Sequence, residues 1–167
     1  IHYSRLSVYE FLRYYKVTSN KFGKYLLFFG RIDHYKGVDL LIDAYEKSEA
    51  RRNGLKLVIA GRGHIAHDKS KLADDIILLN RYIDNDELAS LIHHCSFVVL
   101  PYLSATQSGC VMSAFAFNKP IIATRVGDLP KEVDDEETGL ICNPNDIEDL
   151  KTKIDKMASA DLLDFEN

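Results

Sequence analysis

The sequence predicts an α/β protein: a three-layer α/β/α sandwich around about six parallel strands. Three observations carry the prediction. Short, continuously apolar runs recur along the chain, as expected of strands covered on both faces. Between most of them lie stretches whose apolar residues repeat with the helical period. Each apolar run also stops abruptly at a glycine, a proline or a polar turn. Strands alternating with helices in this way form a parallel sheet. Right-handed crossovers then bring every strand-to-helix loop to one edge of that sheet.

The elements follow in order. Tyr25-Leu26-Leu27-Phe28-Phe29 is the first strand, ending at Gly30. From Val38 the apolar positions Val38, Leu41, Ile42 and Tyr45 mark one helical face, with Asp39, Asp43 and Glu46 off it, and Asn53-Gly54 ends the helix. Leu55 to Ala60 is the second strand, and Gly61-Arg62-Gly63 follows it. That G-x-G is a weak echo of a dinucleotide fingerprint, because Ala66 stands where the third glycine belongs and the following helix is weak and short. Ile76 to Leu79 is the third strand, and Asp84 to Glu87 supply N-cap chemistry for a helix through His94. Phe97 to Leu100 is the fourth strand, stopped by Pro101. Ser108 or Gly109 opens a mostly apolar helix, Cys110 to Phe117, and a helix apolar nearly all round is expected to be buried. Pro120 to Thr124 is the fifth strand. Pro130 sits near the start of a short helix, and Asp134 to Glu137 form an acidic turn. Gly139 to Cys142 is the sixth strand. Asn145 or Asp146 caps a last helix with Ile147, Leu150, Ile154 and Met157 on one face. The arrangement is Rossmann-like.

At 167 residues and 46% hydrophobic, the chain suits one domain with a sizeable core. The domain is expected over residues 24–158. Residues 1–23 form a lead-in whose aromatic and leucine side chains need a surface, and residues 159–167 form a tail. The chain opens at Ile1 without an initiator Met and closes inside a helical pattern, so a piece of a longer protein is expected. No apolar run approaches the ~20 residues of a membrane span. A net charge of −4 argues against a broad nucleic-acid surface. Cys95, Cys110 and Cys142 lie far apart and read as buried free thiols in a reducing compartment. His93-His94-Cys95 and the pair His64 and His67, which could share a helical face, lack the further ligands a metal site requires, so no metal is expected.

Two loops hold candidate chemistry. Gly30-Arg31-Ile32-Asp33-His34-Tyr35-Lys36-Gly37 places two cations between a strand and a helix. Arg31 offers a planar fork that matches two phosphate oxygens, and Lys36 adds its charge near a helix start. The loop reads either as an anion site, a diphosphate above all, or as a solvated basic loop. Pro101-Tyr102-Leu103-Ser104-Ala105-Thr106-Gln107-Ser108-Gly109 precedes the apolar helix. Backbone N–H groups of Ser108, Gly109 and Cys110 would point out of that helix start, where Gly109 permits close approach. The alternative is an ordinary Ser cap with a glycine for tight packing. Both loops fall on the same sheet edge, together with Gly61-Arg62-Gly63 and Asn80-Arg81-Tyr82-Ile83, and crevices there are the usual ligand sites of open α/β sheets.

The ordered set of motifs resembles a family. Gly30-Arg31, Lys36-Gly37, Gly61-Arg62-Gly63, Asn80-Arg81-Tyr82-Ile83, Pro101-Tyr102, Lys119 to Thr124, Gly127 to Glu132 and Thr138-Gly139-Leu140 stand in the sequence of the C-terminal half of GT-B glycosyltransferases, in the large retaining group often called family 4. The match runs from about Lys24 to Met157. The resemblance implies one half of a GT-B fold that binds a nucleoside diphosphate (NDP) sugar. Arg31 and Lys36, the residues assigned catalytic roles, would hold the donor diphosphate with Gly30. Tyr82 and Ile83 would line the base pocket, and the helix start at Ser108, Gly109 and Cys110 would meet phosphate. It implies no metal or other cofactor, the cations and helix dipole serving where a metal serves elsewhere. It also implies an acceptor-binding N-terminal domain in the same chain, and a cytoplasmic enzyme of glycan or polysaccharide synthesis that the missing half could hold at the inner membrane face.

One departure matters. Most of the family carries two glutamates, one meeting the donor sugar and one the ribose, at positions occupied here by Ala105 and Ser113. A subset of similar sequences carries the Ala-Thr-Gln-Ser-Gly version instead. Thr106, Gln107 and Ser113 are the polar substitutes, and Ser113 is too short for a bidentate ribose contact. The expected function is the donor half of a retaining transferase acting on a saccharide or lipid-linked acceptor. A catalytically silent nucleotide-binding or scaffold module, and one half of an NDP-sugar epimerase, are the alternatives.

Overall fold

In the computed structural model, residues 15–104 and 108–160 are described. Six parallel strands form one sheet: β1 (Tyr25–Phe29), β2 (Lys56–Ala60), β3 (Ile76–Leu79), β4 (Phe97–Leu100), β5 (Ile121–Thr124) and β6 (Gly139–Cys142), in the order β3-β2-β1-β4-β5-β6. The helices are α1 (Val38–Glu46), α2 (Glu49–Arg52), α3 (Asn85–His94), α4 (Gly109–Ala116), α5 (Leu129–Glu132) and α6 (Ile147–Ser159). β1 pairs with β2 in register Tyr25 to Lys56 and with β4 through Leu26 to Phe97 and Leu27 to Val98. The chain thus winds outward from β1 in one direction and, after β3, returns to wind outward from β4 in the other. Right-handed crossovers in opposite directions put the helices on opposite faces, which gives three layers.

The continuous apolar runs are explained by this burial. Every residue of β1, β4 and β5 is buried, and Leu26, Leu27, Phe28, Leu57, Ile59 and Phe97 are fully enclosed. Each such side chain contributes roughly 1.5–3 kcal/mol relative to exposure. α1 and α2 pack against α6, through Leu150, Ile154 and Met157 on the latter. The caps are those of the sequence pattern: Asp84 accepts from Glu87 N–H, and Asp146 from Asp149 N–H.

Three expectations need correction. The helix after β1 does not run on to Asn53. It stops at Lys47, and buried Ser48 restarts it by accepting from Arg51 N–H while donating to Tyr45 O. Helix α4 is not buried all round: Val111 and Ala114 face the core, whereas Met112 is 45% exposed. His64 and His67 share no helical face, because the chain after Gly63 is loop, followed only by a 3-10 turn at Lys69–Lys71.

Of the lead-in, residues 1–14 lie outside the described residues. From Tyr15 the segment lies along α3: Lys16 N–H donates to Asp86, Thr18 N–H to Ser90 Oγ, and the His94 ring bonds Thr18 O at 2.7 Å. His94 is thus engaged in packing, and the Cys95 thiol is buried against Ile92 O. Most of the tail, residues 161–167, lies outside the described residues. Among the described residues no helix is long and apolar enough to cross a membrane.

The tightest constraint is where the β1 and β4 loops meet. Gly37 caps α1 in the left-handed conformation (φ 73°), and a Cβ there would stand 1.9 Å from Pro101 O. Gly37→Ala should therefore cost about 2 kcal/mol or more, from backbone strain plus the forced separation of the two loops. Urea denaturation of the two proteins measures it; an unchanged midpoint would show that the loops part freely.

Candidate functional site

The strand order reverses between β1 and β4, and in doubly wound sheets the crevice outside the carboxyl ends at that point is where ligands sit. A cleft of about 600 Å³ opens there. The β1 loop contributes Gly30, Arg31 and Lys36; the β2 loop, Gly61 and Arg62; the β3 loop, Arg81, Tyr82 and Ile83; the start of α4, Ser108, Gly109, Cys110 and Ser113. The sequence-predicted residues that the structure describes are thus brought together. Thr106 and Gln107, with Ala105, lie outside the described residues. A larger hollow, about 760 Å³, opens at the amino ends of the strands. Two of its polar groups are already engaged: Asp155 accepts from Ala50 N–H at 2.9 Å, and Lys156 pairs with Glu136, which does not line the hollow. Volume alone therefore does not choose the site.

The loops are held by backbone geometry. The β1 and β2 loops continue the sheet beyond its strands, with Gly30 N–H donating to Ala60 O and Ile32 N–H to Arg62 O. They run so close that a Cβ on Gly61 (φ 152°) would meet Gly30 O at 1.8 Å. Asn80 ties the β3 loop to this pair, its amide bonding both Gly63 N–H and Gly63 O. On the other side Leu103 N–H donates to Tyr35 O at 2.7 Å.

The cleft's charge is one-sided. Arg31, Lys36, Arg62 and Arg81 line it, and no carboxylate does among the described residues. Arg31 is 80% exposed on its side chain and only loosely paired with Asp33, at 3.6 Å. Arg81 is tied down by Glu87 at 2.8 Å. Lys36 is the best held: its ammonium lies 3.3 Å from the Tyr102 hydroxyl, 4.5 Å from the centre of the Tyr102 ring and 5.4 Å from that of Tyr35. At the start of α4, Ser108 Oγ accepts from Cys110 N–H. Of the three amides expected to face a ligand, that of Cys110 therefore has an internal partner. Ser113 Oγ donates back to Gly109 O, and the Cys110 thiol points to Phe29 O. Tyr82 is 72% exposed, a flat aromatic face at the rim.

Sequence reasoning did not single out Arg62, Arg81 or Tyr102 as site residues. The two arginines stand in loops already assigned to this edge, so their permanent charge was the available signal. Tyr102 reads as the close of a strand; only the fold shows its hydroxyl beneath Lys36.

The G-x-G loop does different work from a dinucleotide fingerprint. Ala66 N–H and His67 N–H both donate to Asp39 on α1, and the His67 ring bridges Asp39 (2.5 Å) and Asp43 (2.8 Å). This clamp anchors the loop that bears Arg62. Burial opposes the His67 imidazolium, but the bonds to Asp39 and Asp43 outweigh it and raise the His67 pKa above 6.5. Burial likewise opposes the Asp39 carboxylate, and the bonds from His67 and the two amides outweigh it, lowering the Asp39 pKa below 3.8.

A protein-family model for glycosyl transferases group 1 matches residues 23–160. The chain belongs to that family. An uncharacterised glycosyltransferase of Methanocaldococcus jannaschii is 37% identical over 131 residues, covering 77% of this chain and 36% of that one. The C-terminal domain of a glycosyl transferase group 1 family protein of Francisella tularensis matches with a TM-score of 0.72 at 21% identity, over 86% of this chain and 79% of that one. HepE of Anabaena, solved with UDP and glucose, matches with a TM-score of 0.71 at 16% identity, over 87% of this chain and 41% of that one. At such identities the structural likeness speaks to the fold alone. The glycosyltransferase chain described here spans about a third of the curated relatives it matches.

The folded glycosyltransferase domain binds the His67 proton more tightly than the unfolded chain does. The His67 contribution to stability is therefore full below pH 6.5 and is lost as pH rises through the raised pKa. The Asp39 contribution is full above pH 3.8 and is lost as pH falls through the lowered one. His67→Ala should destabilise more at pH 6 than at pH 8.5, as read from urea midpoints. Equal losses at the two pH values would show that the clamp carries no proton linkage.

Proposed function

We propose that this domain is the donor-binding half of a retaining glycosyltransferase that moves a sugar from an NDP-sugar to a saccharide or lipid-linked acceptor. The observation that supports the reading most is the cleft at the β1/β4 switch, lined by cations and by no carboxylate among the described residues, with the start of α4 opening into it. A dianionic diphosphate fits such a lining; a neutral or cationic ligand gains nothing from it. HepE, which carries UDP and glucose in its structure, shares this fold.

In this reading the catalytic contribution is electrostatic. Negative charge builds on the departing diphosphate as the glycosidic bond breaks. Lys36 and Arg31 stabilise that charge more in the transition state than in the ground state. Lys36 is pre-positioned by two aromatic rings, so little reorganisation accompanies reaction. Arg31, exposed and loosely paired, is free to close its fork on two phosphate oxygens. Tyr82 and Ile83 supply a flat apolar wall for a base. The reading needs no metal, because fixed cations supply the charge. The acceptor site lies in an N-terminal domain facing this cleft, and the domain alone binds nucleotide without turnover.

The same absence of a cleft carboxylate among the described residues favours a second reading, a nucleotide-binding scaffold without catalysis. It also weighs against an epimerase, which would use carboxylates near the sugar. Binding of a nucleotide by the full-length protein with no turnover of any donor, even by slow hydrolysis, would establish the scaffold.

In calorimetric titrations of the full-length protein with UDP, GDP and ADP, one diphosphate should bind, and Lys36→Ala should weaken it at least ~10-fold. Arg31→Ala should do the same to a smaller degree, since the side chain is solvated before binding. Affinity unchanged in both variants would remove these residues from the site. A thermal-shift panel of the same nucleotides and their sugars identifies the base, because ligand binding to the native state raises apparent stability.

A further inference from the structure

We propose that Tyr102 is a positioning residue of the donor site: its hydroxyl holds the Lys36 ammonium and orients the Ser108 hydroxyl as a hydrogen-bond donor into the same part of the cleft. The inference rests on the donor-site reading and names a residue that reading does not require.

The argument is one of hydrogen-bond direction. Tyr102 is 1% exposed, sitting just past β4 with its backbone carbonyl held by Thr124 Oγ1 at 2.6 Å. Its hydroxyl lies 3.3 Å from Lys36 Nζ and 3.0 Å from Ser108 Oγ. An ammonium only donates, so the Tyr102 oxygen accepts from Lys36. The Tyr102 O–H is then left with a proton that a buried site must place, and Ser108 Oγ is the strong acceptor in reach. Burial, with the Cys110 thiol beside it, pushes the phenol's pKa up, so Tyr102 keeps that proton. Ser108 Oγ also accepts from Cys110 N–H. With both lone pairs taken, the Ser108 hydrogen is free for a ligand, and Ser108 lines the cleft.

The chain of bonds therefore has one sense, from Lys36 through Tyr102 to Ser108. It joins the β1 loop to the start of α4 across the switch point. Both ends meet the same anion: Lys36 with its charge, Ser108 with a hydroxyl hydrogen. The ring of Tyr102 under the ammonium adds a cation–π contact that keeps Lys36 in place without neutralising it. A carboxylate in the position of Tyr102 would cancel the charge, and an apolar residue would leave Lys36 to wander.

The test uses the full-length protein with UDP, GDP and ADP, and with the matching nucleosides uridine, guanosine and adenosine. Tyr102→Phe keeps the ring and removes the hydroxyl. It should weaken the bound diphosphate about 10-fold while leaving the affinity for the matching nucleoside unchanged, since the base wall at Tyr82 and Ile83 is untouched. Tyr102→Phe in a Lys36→Ala background should cost less than it does in the parent, because the part of its effect that runs through Lys36 is already gone. Equal weakening of diphosphate and nucleoside, or losses that simply add, would mean that Tyr102 only supports the fold. If Tyr102→Phe folds poorly, Tyr102→Phe with Ser108→Ala removes both partners of that bond, and the same diphosphate-selective loss is expected. Tight diphosphate binding in either variant overturns the inference alone. No binding of any of these ligands by the parent protein overturns the donor-site reading and the inference together.

Discussion

The structure depends on the close approach of two loops at the point where the strand order reverses. Gly37 lies against the Pro101 carbonyl with no room for a side chain, and Leu103 N–H bonds Tyr35 O alongside. This contact joins two halves of the sheet that are wound in opposite directions. It also decides where the chemistry can be. Lys36, immediately before Gly37, is delivered to the ring and hydroxyl of Tyr102, immediately after Pro101. Had either loop been longer or bulkier, the cation and the start of α4 would stand apart, and an anion could not meet both.

Around that contact the site is assembled from groups that cost little to organise. The β1 and β2 loops extend the sheet's own hydrogen bonds, so Arg31 and Arg62 are held near each other by backbone rather than by ion pairs. Like charges brought together repel, and that repulsion is tolerated because Arg31 stays largely solvated. Arg81 is restrained by Glu87, and the Arg62 loop is clamped by Asp39, His67 and Asp43 outside the cleft. Asp33 pairs with Arg31 and Glu87 with Arg81, and neither carboxylate lines the cleft, which preserves its positive field.

At one of the two positions where the resemblance places a glutamate, the chain carries Ser113. Ser113 lines the cleft but turns its hydroxyl to Gly109 O. The polar groups in its place are hydroxyls and backbone amides near the α4 start. These suit phosphate and give no strong grip on a sugar diol. In the proposed reading, recognition is accordingly weighted toward the diphosphate.

All six strands were legible in the sequence, because a strand buried on both faces is apolar throughout, and runs such as Tyr25 to Phe29 and Phe97 to Leu100 are short, end at turn residues and alternate with helical patterns. The helix caps at Asp84 and Asp146 were legible because capping is local chemistry. The edge carrying the loops was legible from crossover handedness alone, and with it the grouping of Arg31, Lys36, Tyr82 and Ser108; Ser113 entered only through the resemblance to the family. Features set by burial or by other elements were not. The break at Ser48 depends on its burial against Tyr45, the exposed side of α4 on the layer that does not cover it, and the role of His67 on two aspartates of another element. Tyr102 is the clearest case. Its position after β4 follows from sequence, but its hydroxyl is a ligand for Lys36 only because β1 and β4, separated by two other strands in the chain, are neighbours in the sheet. The sequence by itself determined the elements, their order and the charge of the site's loops, all consequences of local pattern. Only the tertiary structure decided how Lys36 is held, because its partner Tyr102 lies 66 residues further along the chain and reaches it through the pairing of β1 with β4.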